Sequence, residues 1–153
     1  PFEEKEIRAI IDEQFPEAEF SDNPFLVKTI VPEKTFLEKM ILLHEEFCKP
    51  TEKIKYNRMS RHLYDIDQIA DTEYGKRAMK DDQLFRDICN HRAVFTPVKV
   101  VEYNKLNLKD LEFIPPDDFI KQYRDDYSEM QSSMIYGDNL PFDELIKKLQ
   151  KLK

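Results

Sequence analysis

The stretch PEKTFLEKMILLHEEFC, residues 32–48, decides the fold of this chain. Proline is tolerated in the first turn of a helix, and Glu33 places a negative charge at the positive end of the helix dipole. At about 100° per residue, the large apolar side chains fall on one broad stripe, which contains Phe36, Leu37, Met40, Ile41, Leu43 and Phe47. This spacing predicts a long amphipathic helix with one buried face, and it indicates that the rest of the chain packs around it as further helices.

Helical periodicity recurs through the other residues of the 153-residue chain, and strict alternation is rare. The spacing predicts a first helix over residues 3–15, and further helices that start near Arg58, Tyr74, Asp82, Asp117 and Pro141. One short β-branched stretch, residues 25–31, predicts a strand, for which we expect a partner in residues 98–103 or in a second copy of the chain. The fold class is mainly α: residues 1–153 form a single helical domain, a bundle of about six helices with one or two short β-strands.

Composition excludes several classes of protein. Only two glycines, Gly75 and Gly137, occur, so neither a glycine-rich dinucleotide-binding turn nor a P-loop can be present. Two cysteines are too few for a disulfide framework and fit a reduced cytoplasm, and the three histidines lie on different predicted helices, so we expect no metal site. No apolar run approaches the ~18 residues of a membrane span. The net charge of −7 argues against a freestanding nucleic-acid binder that relies on phosphate neutralisation.

Four charged side chains are the candidates for chemistry. Arg58, Arg61 and Asp65 fall within about 60° of one another on the third predicted helix, and Lys39 lies at the border of the apolar face of the long helix. The pattern alone favours a solvated helix face with an Arg61–Asp65 ion pair and a lysine that only buries its stem. The alternative is an anion site, in which the lysine and the arginines hold a phosphate group and the carboxylate orients a cation.

The segment KIKYNRMSRH, residues 53–62, is basic and includes Tyr56. Its composition is typical of a flexible solvated loop, and it is also the best candidate in this acidic chain for a local contact with RNA or a nucleotide. His44 and His62 lie on or beside apolar faces, so we interpret them as packed, hydrogen-bonded histidines. Adjacent carboxylates such as Asp125 and Asp126 point in different directions on a helix, and we interpret them as solvated faces.

Several segments together resemble a known family. VPEKTFLEKMILLHEE (residues 31–46), followed by RMSRHLYDIDQI (residues 58–69), resembles the third and fourth motifs of the AbiEii/AbiGii-toxin type of nucleotidyltransferase. HRAVF, FIPPDDFIKQYRDDYSEM and YGDNLPFDELI resemble the helical tail of the same family, so the resemblance covers the chain from about Phe25. It implies that Lys39 and Asp65 are catalytic residues, that Arg58 and Arg61 bind nucleotide phosphates, and that no metal ligand lies in this part of the protein.

The resemblance also implies a longer parent protein. In this polymerase-β-like enzyme, an N-terminal domain that is missing here holds magnesium and a nucleoside triphosphate with a glycine–serine turn and paired aspartates. This chain is then the C-terminal part, inactive by itself, and residues 25–31 are a strand left over from the missing domain. The parent is expected to be the toxin of a bacterial toxin–antitoxin pair, to transfer a nucleotidyl group to an acceptor such as RNA, and to have an antitoxin protein as a partner.

A second hypothesis needs no catalysis. The acidic charge and the lack of metal ligands are also typical of a helical interaction module, which binds an antitoxin or forms a homodimer. The two hypotheses differ in what Lys39 and Asp65 do: they serve catalysis in the first and only partner binding in the second.

Overall fold

The computed structural model describes all residues, 1–153, and divides them into two compact units, Pro1–Val31 and Pro32–Lys153. The first unit contains strand β1 (Phe2–Ile7), the short helix α1 (Ile10–Gln14) and strand β2 (Phe25–Ile30). The two strands pair antiparallel, so that Phe2 lies opposite Ile30 and Ile7 lies opposite Phe25.

The second unit consists of helices and loops. Its helices are α2 (Pro32–Phe47), α3 (Ser60–Ala70), α4 (Glu73–Ala78), α5 (Asp82–Phe95), α6 (Ile120–Ser133) and α7 (Phe142–Leu152). The predicted fold class, mainly α with about six helices and one or two short strands, is confirmed, because 56% of the chain is helical, in seven helices, and the only sheet has two strands. None of these helices combines the length and the apolar character that crossing a membrane requires.

Helix α2 forms the centre of the second unit. It packs against α3, α4 and α5, and α3 packs in turn against α6 and α7. The predicted stripe of α2 is buried, with exposures of 1% or less for Phe36, Leu37, Met40, Ile41 and Leu43. Burial of one such side chain contributes about 1.5–3 kcal/mol, so this stripe fixes the rotation of α2 against its neighbours. The polar residues at the edge of the stripe are thereby held in place.

The predicted helix over residues 3–15 is wrong in its first half. Residues 2–7 form β1, because pairing with β2 in the same unit overrides the good helix propensity of their glutamates. The predicted partner of the second strand, residues 98–103, is also wrong, since these residues form a loop. Tyr103 turns its side chain into the core, and its hydroxyl accepts a hydrogen bond from the backbone N–H of Val98 at 3.2 Å.

A side-chain cap marks the start of α5. The carboxylate of Asp81 accepts a hydrogen bond from the backbone N–H of Leu84 at 2.9 Å, so Asp81 is the N-cap of this helix. Helix α6 ends at Ser133, and Gly137 lies in the following turn, where its φ of 85° is left-handed.

A buried ion pair joins α2 to α5. The guanidinium of Arg92 donates to both carboxylate oxygens of Glu45, with 2.6 Å between Nε and Oε1. The hydroxyl of Tyr103 donates to the same Oε1 at 2.5 Å. Burial and this hydrogen bond raise the pKa of Tyr103 to about 12, so the hydroxyl keeps its proton. The three side chains fasten the loop after α5 to the central helix.

Candidate functional site

Lys39 and Asp65 meet where α2 packs against α3. The ammonium Nζ of Lys39 lies 3.0 Å from Oδ2 of Asp65 and 3.2 Å from Nδ1 of His62. The side chains of Lys39 and Asp65 are 27% and 37% exposed, so the pair lies at the surface edge of the helix contact and not in the core. The structure brings these two predicted residues into direct contact, and a third residue, His62, joins them.

His62 holds Lys39 from the buried side. Its side chain is 5% exposed, which confirms the interpretation of a packed, hydrogen-bonded histidine, and its partner is the lysine ammonium. His44 is confirmed in the same way, since its Nδ1 accepts a hydrogen bond from the backbone N–H of Glu112 at 3.0 Å. An ammonium can only donate, so the imidazole of His62 must be neutral to accept at Nδ1.

The pKa of His62 is lowered from 6.5 to about 4, first by burial and then by the charges of Lys39 and Arg61, while Asp65 and Asp126 act in the opposite direction. The unfolded chain therefore binds this proton more strongly than the folded one. The stabilisation is complete above pH 6.5 and is lost as the pH falls towards 4.

We expect H62N to flatten this pH dependence. Asparagine keeps a neutral acceptor but does not titrate. Between pH 6.5 and pH 4, wild type should therefore lose about 2 kcal/mol more unfolding free energy than H62N does. Urea unfolding at a series of pH values measures the difference, and H91N, at an exposed histidine of α5, is the control. Parallel curves for wild type and H62N would contradict the assignment.

Arg58 and Arg61 form a second, separate surface. Arg61 is exposed on the first turn of α3, and Arg58 lies in the turn before it, with a left-handed φ of 59°. Both line a cavity of about 190 Å³ that also contacts α6. Helix α3 begins at Ser60, two residues after its predicted start near Arg58. The predicted Arg61–Asp65 ion pair is wrong, because Asp65 pairs with Lys39. The two guanidiniums share a cavity wall and not one helical stripe.

Asp126, on α6, caps α3 from outside. One carboxylate oxygen, Oδ1, accepts a hydrogen bond from the backbone N–H of Arg58 at 2.5 Å. The other, Oδ2, accepts from the backbone N–H of Ser60 at 2.9 Å and from its hydroxyl at 2.5 Å. The first N–H groups of a helix lack partners within the helix, and α3 has no capping side chain of its own. The interpretation of Asp126 as part of a solvated face is wrong, and this carboxylate explains the shape of the turn that carries Arg58.

We expect D126A to lower the free energy of unfolding by about 2 kcal/mol, because two backbone N–H groups and one hydroxyl lose their acceptor. Chemical denaturation measures this, and amide hydrogen exchange should become faster at residues 58 and 60. The neighbouring Asp125 is exposed, so D125A should cost less than about 0.5 kcal/mol. Equal losses in the two variants would show that the cap contributes nothing.

The basic segment, residues 53–62, leads into this turn. Its side chains Lys53, Lys55 and Tyr56 are exposed, but its backbone is anchored. The N–H of Lys55 donates to Oε1 of Glu46 at 2.7 Å, and its carbonyl accepts from the hydroxyl of Tyr123 at 3.0 Å. The segment thus presents basic side chains to solvent from a fixed main chain.

The carboxylates near the site are paired with lysines. Asp65 contacts Lys39, and Asp67 contacts Lys148 at 2.7 Å between Oδ1 and Nζ. No group of three or more histidine, cysteine, aspartate or glutamate side chains converges on a point where it could hold a metal ion.

The fold and the site define a mainly helical protein with a polar site, formed by Lys39, Asp65 and His62, at the contact of α2 and α3. Residues 1–148 match the model of the nucleotidyl transferase AbiEii toxin family of type IV toxin–antitoxin systems. The chain belongs to this family of nucleotidyltransferase-type toxins, which confirms the resemblance seen in the sequence. The match begins at residue 1 and not near Phe25, so it includes the β1–β2 unit. No curated protein and no solved structure matches the chain.

Proposed function

We propose that this chain forms the phosphate-binding side of an enzyme that transfers a nucleotidyl group from a nucleoside triphosphate to RNA, as the toxin of a toxin–antitoxin pair. Lys39 and Asp65 are its catalytic residues, and Arg58 and Arg61 bind nucleotide phosphates. The family supports the class of reaction. The single observation that carries the residue assignment is the contact of 3.0 Å between Lys39 Nζ and Asp65 Oδ2 at a partly exposed position.

The ammonium of Lys39 is suited to bind a phosphate oxygen. It has three N–H donors, of which Asp65 and His62 accept two, so one remains for a ligand. Both acceptors also restrict the long side chain, which lowers the entropy that binding would otherwise cost. A cation held at a fixed point stabilises the negative charge of a phosphoryl group during transfer more effectively than a mobile one.

Arg58 and Arg61 complete the anion site in this proposal. Their guanidiniums form no ion pair with a carboxylate, and Asp126 directs its oxygens at backbone N–H groups and a hydroxyl. Asp126 and Glu129 line the same cavity and contribute two opposing charges, of which the Asp126 carboxylate is engaged by these hydrogen bonds. Guanidinium forks bind phosphate oxygens in pairs, and the exposed basic side chains of residues 53–56 extend the cationic surface towards an RNA backbone.

In the same proposal, the chain is the C-terminal part of a longer enzyme whose N-terminal domain holds magnesium and the triphosphate. The unit Pro1–Val31 supports this part. Its two-stranded sheet leaves both outer edges unpaired, and a two-stranded sheet is marginally stable by itself. Phe2, Phe25 and Leu26 are 68%, 62% and 66% exposed, so the sheet has apolar surface that strands of such a domain can cover.

The same exposed apolar residues also favour a second candidate function, a non-catalytic interaction module. Exposed apolar patches mark protein-binding surfaces, and an antitoxin or a second copy of the chain could occupy this one. In that case the polar site at Lys39 would have no preference for nucleotides.

Affinity labelling of the full-length protein separates the two functions. Adenosine diphosphopyridoxal carries an aldehyde near the position of a terminal phosphate, and borohydride reduction fixes the imine that it forms with a nearby lysine. We expect the label on Lys39, and we expect excess ATP with magnesium to prevent labelling. Lys34, on the same helix and 24% exposed in its pair with Glu38, is the internal control. Equal labelling of Lys34, or labelling that ATP does not prevent, would refute the proposal and favour the interaction module.

A further inference from the structure

The second unit contains a cavity of about 770 Å³ that the proposed function does not use. Its walls come from α2, the end of α4, the first turns of α5, residues 107–113 and the end of α7. None of the residues at the Lys39 and Arg58 sites lines it; α2 contributes Met40, the neighbour of Lys39, which points about 100° away around the helix. The volume lies in the range of about 300–1,000 Å³ that is typical of small-molecule sites.

The floor of this cavity is apolar. Its accessible apolar surface comes mainly from the partly exposed Met79, Leu108 and Leu152, and Met40, Phe85 and Phe113, which are 1–2% exposed, form the layer beneath them. These side chains belong to the core of the unit, so the floor exists before any ligand arrives. An apolar body that enters the cavity gains about 25 cal/mol for each Å² of apolar surface that it removes from water.

The rim of the cavity is cationic. The guanidinium of Arg86 lies over the ring of Phe85 at 5.7 Å and has no carboxylate partner. It makes only long contacts, of 3.4 Å to the carbonyl of Tyr103 and 3.5 Å to the carbonyl of Asn104 and to Oδ1 of Asn107. Such contacts are weak, so a ligand oxygen can replace them.

Lys109 stands on the same rim, exposed and without an ion pair. Lys153 also lines the cavity but is paired with Glu112, and Asp82 adds one negative charge. The two unpaired cations, Arg86 and Lys109, and the single carboxylate of Asp82 give the rim a positive net charge. The chain as a whole, in contrast, has a net charge of −7. The local charge favours one negative group on a ligand.

We propose that this cavity binds a small amphipathic anion, a molecule with an apolar body and one carboxylate or sulfonate group. The body lies on the apolar floor, and the anionic group binds Arg86 and Lys109 at the rim. An aromatic and an alkyl body are both compatible with this floor, so the test includes one of each.

Methyl NMR of the 153-residue chain locates such binding, because its five methionines report on different places. Met40 and Met79 line this cavity, Met130 and Met134 line the cavity of the arginines, and Met59 lines neither. We expect 2-naphthoate or decanoate to shift the signals of Met40 and Met79 and to leave the other three unchanged. The neutral 2-naphthalenemethanol should bind at least about tenfold more weakly than 2-naphthoate.

Charge variants test the rim. R86Q and K109Q should each weaken the binding of the anion about fivefold or more, while the affinity for 2-naphthalenemethanol stays the same. R124Q is the matched control, since Arg124 also lies over an aromatic ring, that of Phe142 at 5.6 Å, away from the cavity. Lys109 makes no contact that the fold needs, so K109Q remains informative if R86Q fails to fold.

Three results would overturn the proposal. One is the absence of shifts at Met40 and Met79 with either anion at millimolar concentration. Another is equal affinity for the acid and the alcohol, which would leave an apolar cavity without a charge preference. The last is unchanged anion affinity in K109Q and R86Q. None of these measurements involves nucleotide transfer, so their outcome is independent of the function proposed for Lys39.

Discussion

K39M is expected to lower nucleotidyl transfer by the full-length protein at least about 100-fold, which is the usual cost of removing one preorganised group that stabilises transition-state charge. Methionine keeps the length and the apolar stem of the side chain, so packing at the contact of α2 and α3 is retained. The loss therefore reports the ammonium that Asp65 and His62 hold in place. Transfer of a label from an α-labelled triphosphate to RNA measures it, and bacterial growth upon expression gives a second readout.

K34M provides the comparison for this variant. Lys34 lies on the same helix, is similarly exposed and forms an ion pair with Glu38 at 3.1 Å, so its loss removes the same charge from the molecule. We expect its activity to stay within about threefold of wild type, since surface ion pairs contribute little. If K34M and K39M lose activity equally, net charge and not the position of Lys39 is responsible, and the catalytic assignment fails.

R92M is expected to lower the free energy of unfolding by about 3 kcal/mol, the largest stability effect that we predict. Arg92 compensates the carboxylate of Glu45, which is 4% exposed, and its removal leaves that charge buried with only the hydroxyl of Tyr103 as a donor. Urea unfolding followed by circular dichroism measures the change. The melting temperature should fall as well.

R124M is the control for R92M, because Arg124 also pairs with a carboxylate, that of Asp143, but at an exposed position. Its loss should cost less than about 0.5 kcal/mol. In addition, replacing both members of the buried pair, as in E45Q with R92M, should restore part of the stability that R92M loses, since no uncompensated charge remains. Similar losses in R92M and R124M would contradict the role of burial.

The parts of the fold that could be predicted are those that depend on nearby residues. Helix α2 was predicted to within one residue at its end, because an apolar stripe of period 3.6 and a proline in the first turn both lie within the segment itself. Strand β1 could not be predicted in this way. Its glutamates favour a helix, and the backbone groups that it pairs with belong to β2, which follows α1 in the sequence.

In the candidate site, too, features that depend on nearby residues could be predicted, and features that depend on distant residues could not. The resemblance to the family motifs predicts Lys39 and Asp65 as site residues, and the structure places the two in contact. No local pattern indicates that His62 directs its ring at the lysine. The role of Asp126 could not be predicted because its three hydrogen-bond donors belong to Arg58 and Ser60, which are far from it in sequence. In addition, a carboxylate that follows a second carboxylate is usually solvated. One signal could have indicated this role of Asp126: helix α3 lacks a capping residue of its own and therefore needs an acceptor from elsewhere in the chain.

The carboxylate of Asp126 fixes the backbone of Arg58 by accepting its N–H, and it leaves the guanidinium group of that arginine unpaired. Since the carboxylate belongs to α6, the direction of Arg58 depends on a residue that need not touch any phosphate. Lengthening that side chain by one methylene, as in D126E, would shift the turn while every charge of the arginine pair stayed the same. The proposed phosphate-binding arginines of this chain can therefore be repositioned from a neighbouring helix, with their own side chains left intact.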